Sequence, residues 1–286
     1  MPKKTSNTEK IIQEEIRKVL REMTDYFFKY TTALPYYDPG RLEKLTAGGS
    51  GTYIKGKNNN FILTNEHVVK NIPANGTCAH LPIDSGQYAA NFAHSRALGK
   101  PHDVAILVME NESLPQDLRL PANRLLDPFY FDDRFQPVKE EFLFLVGYPG
   151  YELIRKGNFS VEHLKVADSK HLTLLGKPLL TQEASPPRHS NDFVGFDPEY
   201  HAVISYPKSG INKFGSSVPH PCPKGMSGSI IWDTKFIACV DKQIPWHPSM
   251  ARACALLWGG STADDNFTLI ATKIEHVNMF LMKCDL

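Results

Sequence analysis

The chain has 286 residues, enough at about 150 per domain for two domains or one large all-β unit with a sizeable core. Lys and Arg total 32 against 31 Asp and Glu, a formal net charge of +1, so there is no bulk electrostatic pull toward nucleic acid or anionic lipid. Hydrophobic content of 42% and charged content of 22% exclude a disordered, collagenous or membrane-embedded chain. The 21 prolines and 19 glycines favour short strands and loops over long helices.

The first 23 residues carry charge throughout and lack the apolar stretch of a secretory signal. The longest apolar runs, such as Phe142 to Gly147, fall far short of the about 20 residues a spanning helix needs. A cytosolic protein is therefore expected, with no membrane partner. Cys78, Cys222, Cys239, Cys254 and Cys284 are odd in number and show no CxxC spacing, so reduced thiols are the default. His220-Pro-Cys222 resembles half a metal site, but no second ligand pair accompanies it and a turn is the better reading. No metal and no cofactor are expected.

Ser6-Asn7-Thr8-Glu9 fits a capping box, and Ile12, Ile16, Val19, Leu20, Met23 and Phe27 then recur at helical spacing, which predicts an amphipathic helix over roughly residues 7 to 30. Its apolar face either packs on the body of the protein or docks an activating partner or a second copy. After Pro35-Tyr-Tyr-Asp-Pro-Gly40 the pattern changes to short strand-like runs. These are Gly51 to Lys55, Asn60 to Asn65, Thr77 to Leu81, Tyr88 to Ala93 and Val104 to Met109, then Glu141 to Tyr148, a segment within Leu164 to Leu175, and Leu179 to Glu183. Ala202 to Tyr206, Ser229 to Trp232, Phe236 to Val240 and Thr268 to Thr272 complete the set, with Leu114 to Arg134 as linker between two groups. Ile274, Val277, Met279, Phe280 and Leu281 predict a short C-terminal helix, and Ser185 to Asp192 is the most loop-like stretch.

Three segments at strand edges hold a His, an Asp and a Ser in an order that nucleophilic hydrolases use. They are Gly49-Ser-Gly51 followed by Thr64-Asn-Glu-His67-Val-Val, then His102-Asp103-Val-Ala-Ile-Leu, then Gly225-Met-Ser227-Gly-Ser229. Taken singly, His67 could be a capping or core histidine, Asp103 a turn residue and Ser227 part of a plain turn; their joint order is what carries weight. In these motifs the sequence resembles the chymotrypsin-like (trypsin-fold) serine proteases, and among them the bacterial HtrA-like branch. The separation between Asp103 and Ser227 is long for that family, which assigns the extra residues to loops of the second half.

The resemblance implies an all-β architecture of two six-stranded antiparallel β-barrels, with the N-terminal helix packed outside and the short C-terminal helix behind. Residues 1–46 would form the helical extension, 47–120 the barrel carrying His67 and Asp103, and 121–286 the linker, the barrel carrying Ser227 and the last helix. It implies a serine endopeptidase acting on a protein or peptide substrate. Ser227 would attack the carbonyl, and His67 would accept its proton, as an imidazole with an ordinary pKa of about 6.5 can. Asp103 would orient the imidazole, and the amides of Gly225 and Ser227 would hold the oxyanion.

Met226 stands where digestive members carry the aspartate that pairs with a new amino terminus, so activation by zymogen cleavage is not expected; the enzyme would be made in its active form, or gated by a conformational change or partner. Pro221, six positions before Ser227, replaces the acidic residue that selects Arg or Lys. The primary pocket is expected to be uncharged, with walls from Val218 to Lys224 and Val240 to Pro245, so that Pro221, Lys224 and Asp241 contact substrate. Too few residues follow Ser227 for the PDZ module that HtrA-like enzymes append, which suggests limited, specific cleavage. The rival reading is a catalytically silent module that binds a peptide or partner in the same cleft. A non-proteolytic hydrolase is disfavoured, since a G-x-S-x-G elbow is missing.

Overall fold

A computed structural model describes residues 7–37, 45–72, 77–80, 88–89, 95–109, 122–149, 176–185, 195–211, 217–220, 222–261 and 267–284. Helix α1 (Asn7–Phe27) leads into strands β1 (Thr31–Tyr37), β2 (Leu45–Ile54) and β3 (Phe61–Thr64), helix α2 (Glu66–Lys70), and strands β4 (Thr77–His80), β5 (Tyr88–Ala89), β6 (Ser95–Leu98) and β7 (Val104–Val108). The second half holds β8 (Leu143–Gly147), β9 (Lys177–Thr181), β10 (His201–Tyr206), β11 (Ser209–Ile211), β12 (Ser217–Pro219), β13 (Ile230–Asp233), helix α3 (Phe236–Asp241), β14 (Arg252–Ser261), β15 (Phe267–Lys273) and helix α4 (Ile274–Lys283).

The strands form a seven-stranded sheet in the order β5-β4-β1-β2-β3-β7-β6 and a six-stranded sheet in the order β10-β15-β14-β13-β8-β9, with β11 and β12 as a separate ribbon. The strand pairs within them are antiparallel. The second sheet closes on itself just past β9. There the Ser205 N–H donates to Gln182 O at 3.0 Å and the Ala184 N–H to Val203 O at 2.8 Å, joining the two edge strands.

Strands β3, β7, β8 and β13 read as continuous apolar runs because both their faces are buried. Alternate residues serve different cores. Ile62 and Leu107 point into a cluster inside the first sheet with Leu34, Tyr53 and Val68, while Leu143, Leu145 and Ile231 fill the second barrel with Leu257, Leu269 and Met226. Their neighbours Phe61, Leu63, Ile106, Phe144, Val146, Ile230 and Trp232 meet in a third, central cluster between the sheets.

Both long helices complete that central cluster. Val19, Met23 and Phe27 of α1 recur every fourth residue and are buried, and the Phe27 ring lies 3.9 Å from that of Trp232. Ile274, Val277, Phe280 and Leu281 of α4 join from the other end of the chain. The apolar face of α1 from Val19 to Phe27 thus packs on the body of the protein, the first of its two expected readings, while Ile12 near its start is 53% exposed.

Among the described residues the first sheet holds seven strands and begins at Thr31, and β2 runs from Leu45 to Ile54. Pro35 conceals β1 in the sequence, and the pairing with β2 shifts register at Leu34/Pro35 to accommodate it. Phe236 to Val240 is helical, because Lys235 turns left-handed at φ 58 and the buried Glu141 carboxylate accepts the N–H groups of Ile237 and Ala238 at 3.0 and 3.1 Å. Strand β14 has no counterpart among the expected strands, its alanines being poor strand formers. The segment expected within Leu164 to Leu175 lies outside the described residues, as does most of Ser185 to Asp192.

Candidate active site

Strand β3 ends at Thr64, Asn65 is extended (φ −97, ψ 154), and α2 begins at Glu66, so His67 sits in a first helical turn with a backbone N–H that the helix cannot satisfy. Asp103 supplies the acceptor. Its Oδ1 takes the His67 backbone N–H at 2.9 Å and its Oδ2 lies 2.6 Å from His67 Nδ1. This two-point clasp fixes both the start of α2 and the plane of the imidazole. The carboxylate side chain is 3% exposed and the imidazole 38%, so the far edge of the ring faces the solvent side.

Antiparallel pairing of β3 with β7, Thr64 opposite Ala105, brings residue 103 beside residues 65 to 67. Asp103 itself is left-handed, at φ 46, a conformation few non-glycine residues adopt. It is held there by Asn65 Nδ2, which donates to Asp103 O at 2.7 Å, and by its own N–H, which donates to Gly99 O at 3.3 Å.

Ser227 lies on the turn between Pro223 and β13. Gly225 (φ 97) and Gly228 (φ 91) bracket it in conformations that L side chains rarely adopt, and a Cβ on Gly228 would collide with Ser50 O and Thr64 Oγ1. The turn is bound directly to the first sheet. Ser50 N–H donates to Ser227 O at 2.7 Å, and the buried Ser50 hydroxyl donates to Gly225 O and accepts from the Tyr148 N–H, both at 2.9 Å. Because β2, which carries Ser50, is the neighbour of β3, these bonds bring the Ser227 turn to the end of the sheet that carries His67. Among the described residues, neither the Gly225 nor the Ser227 N–H has an acceptor, whereas the Met226 and Gly228 N–H groups are paired with Pro223 O and Leu257 O.

The Ser227 hydroxyl donates to Trp258 O at 3.3 Å. Trp258 is the extra residue of a bulge in β14, between Leu257 opposite Ala271 and Gly259 opposite Ile270, so its carbonyl is not committed to the ladder. Its indole packs against His201, with ring centroids 5.2 Å apart, and lies under Lys100 Nζ at 5.6 Å. Sequence reasoning did not single out Trp258; the Trp-Gly-Gly run is the one trace of it.

Of the remaining expected site residues, Lys224 is exposed on the turn that leads into Gly225. Pro221 lies outside the described residues. Asp241 is exposed at the end of α3, which follows the Asp233 end of β13, the end away from Ser227. His67 and Asp103 are thus in direct contact, the Ser227 turn is bound to the adjoining strand through Ser50, and the strand beside Ser227 is β14. The His102 ring, next to Asp103, meets those of Tyr200 and His276 edge-on at 5.0 and 5.6 Å. Among the described residues no group of acidic, His and Cys side chains has the geometry to hold a metal ion, and no helix is long and apolar enough to cross a membrane.

Among solved structures, the HtrA-type protease AlgW with tripeptide superposes on 93% of this chain with a TM-score of 0.52 at 11% sequence identity. The fold is trypsin-like. This chain spans 63% of the length of that one. No protein-family model and no curated protein matches the sequence.

Proposed function

We propose that this trypsin-like chain is a serine endopeptidase, with Ser227 as nucleophile, His67 as general base and Asp103 as the residue that orients it. The observation that carries the reading is the two-point clasp of His67 by Asp103 at 2.9 and 2.6 Å, with the Ser227 turn and its two left-handed glycines bound to the adjoining strand through Ser50. A carboxylate that accepts at Nδ1 leaves the proton on that nitrogen and the lone pair on Nε2, the form an imidazole base needs.

In this mechanism the Ser227 hydroxyl leaves Trp258 O, gives its proton to His67 Nε2 and bonds to the substrate carbonyl carbon. The oxyanion accepts from the N–H groups of Gly225 and Ser227. Collapse of the tetrahedral species expels the amine, which takes the proton back from His67, and water then hydrolyses the acyl ester by the same route. The hydrogen bond to Trp258 O supports a gate: substrate or a partner would draw the hydroxyl from that carbonyl toward His67. A peptide ligand is in keeping with the tripeptide named for the AlgW structure.

A fluorophosphonate probe should label wild-type protein on Ser227 and leave Ser227→Ala unlabelled, with peptide-library turnover falling about 10⁶-fold in that variant. Asp103→Asn should slow labelling by about 10⁴-fold. A wild-type protein that neither labels nor turns over peptides, alone or mixed with cell extract as a source of activators, would identify a silent binding module instead.

A further inference from the structure

Pro101 O, His102 O and Asp103 O each accept a hydrogen bond from a side chain. Asn65, beside His67, holds the third. The first two are held from the opposite sheet: His201 Nε2 lies 2.7 Å from Pro101 O, and Thr272 Oγ1 donates to His102 O at 2.6 Å. His201 on β10 and Thr272 on β15 are directly opposed cross-strand neighbours, and both are buried.

The hydrogen-bond pattern determines the His201 tautomer. Nδ1 accepts the Asp197 backbone N–H at 2.9 Å, so the proton resides on Nε2, which donates to Pro101 O. Burial holds this imidazole's pKa below the ordinary histidine value, in keeping with the neutral form. Thr272 is also opposed to Leu256 on β14, one residue before Leu257, whose carbonyl accepts the Gly228 N–H at 2.8 Å. A short series of hydrogen-bonded steps therefore joins the Ser227 turn, through β14 and β15, to the two carbonyls that precede Asp103.

We propose that His201 and Thr272 are positioning residues for Asp103: as a cross-strand pair on the second barrel they hold the 101–103 segment of the first sheet so that the carboxylate meets His67. The proposal rests on the protease reading for its consequence and on geometry for its content. Asp103 occupies a left-handed conformation that its neighbours must maintain. Without the two donors, two carbonyls are left unpaired and the segment is free to relax.

The test compares Thr272→Val, which deletes one hydroxyl at constant shape, with Thr272→Ser, which keeps the donor, and likewise His201→Phe with His201→Gln. Three quantities are read: the rate of fluorophosphonate labelling against pH, the most downfield proton resonance, assigned to His67 Nδ1–H, and the melting temperature. Thr272→Val and His201→Phe should each label roughly tenfold more slowly, the effect of one hydrogen bond. The midpoint of their pH profile should move to lower pH, because a displaced Asp103 stabilises the imidazolium less. Their downfield proton should broaden or move upfield, and Thr272→Ser should restore all three readings.

Wild-type resonance and pH profile in Thr272→Val would overturn the proposal, even if its melting temperature fell. If His201→Phe fails to fold, the Thr272 pair decides. Should wild-type protein not label at all, the protease reading fails while the downfield proton still tests the positioning claim, since it reports the His67–Asp103 bond without requiring turnover.

Discussion

Ser50 shows how much one buried side chain can carry. Its hydroxyl joins β2 to the Gly225 carbonyl and to the Tyr148 amide, linking the first sheet, the end of β8 and the Ser227 turn through a single oxygen. Replacing it removes two buried hydrogen bonds, at about 1–3 kcal/mol each. Ser50→Ala should therefore lose about 2–6 kcal/mol of unfolding free energy in urea titration. It should also label more slowly than wild type, since Gly225 is no longer held. Gly228 belongs to the same scale: a side chain there meets Ser50 O and Thr64 Oγ1 whatever its chemistry.

Among the elements, α1 changes meaning most. Its periodicity marks a face but not the face's partner, and two occupants were open. Packing of Phe27 against Trp232, with Tyr26 Oη 2.8 Å from Tyr130 Oη, makes the helix a wall of the central core. Phe27→Ala should lower stability by about 3–5 kcal/mol, measured by chemical denaturation, and should shift the fluorescence of Trp232. Helix α3 is the opposite case. Phe236-Ile-Ala-Cys-Val has an apolar run that suits a buried strand as well as a buried helix, and nothing local separates the two. Glu141 decides it from 96 residues away.

At the scale of the whole molecule, one buried and two half-buried histidines tie stability to pH. Burial lowers the pKa values of His102, His201 and His220. In each case the unfolded chain takes up a proton at a pH where the native state stays neutral. Their contribution is thus complete above about pH 6.5 and is lost as the pH falls below it. The melting temperature should drop between pH 7 and pH 5, and His201→Gln should reduce that slope, as calorimetry across this range would measure. A slope unchanged by the substitution would assign the acid sensitivity to the other two.

Much of the molecule was legible in its sequence, for identifiable reasons. Thr64-Asn-Glu-His67, Asp103-Val-Ala-Ile-Leu and Gly225-Met-Ser227-Gly are local patterns: a strand end, a strand start and a tight turn that two glycines make possible. Alternating or continuous apolar runs likewise determined most strands and both long helices, because burial imposes a period on the chain. What remained was settled by contacts between distant segments. The bulge that aims Trp258 O at Ser227 and the carboxylate that turns residues 236 to 241 into a helix are of this kind. So is the grip of His201 and Thr272 on the carbonyls before Asp103. Each depends on a partner far along the chain, and the energy of such a contact exists only once the two sheets have come together.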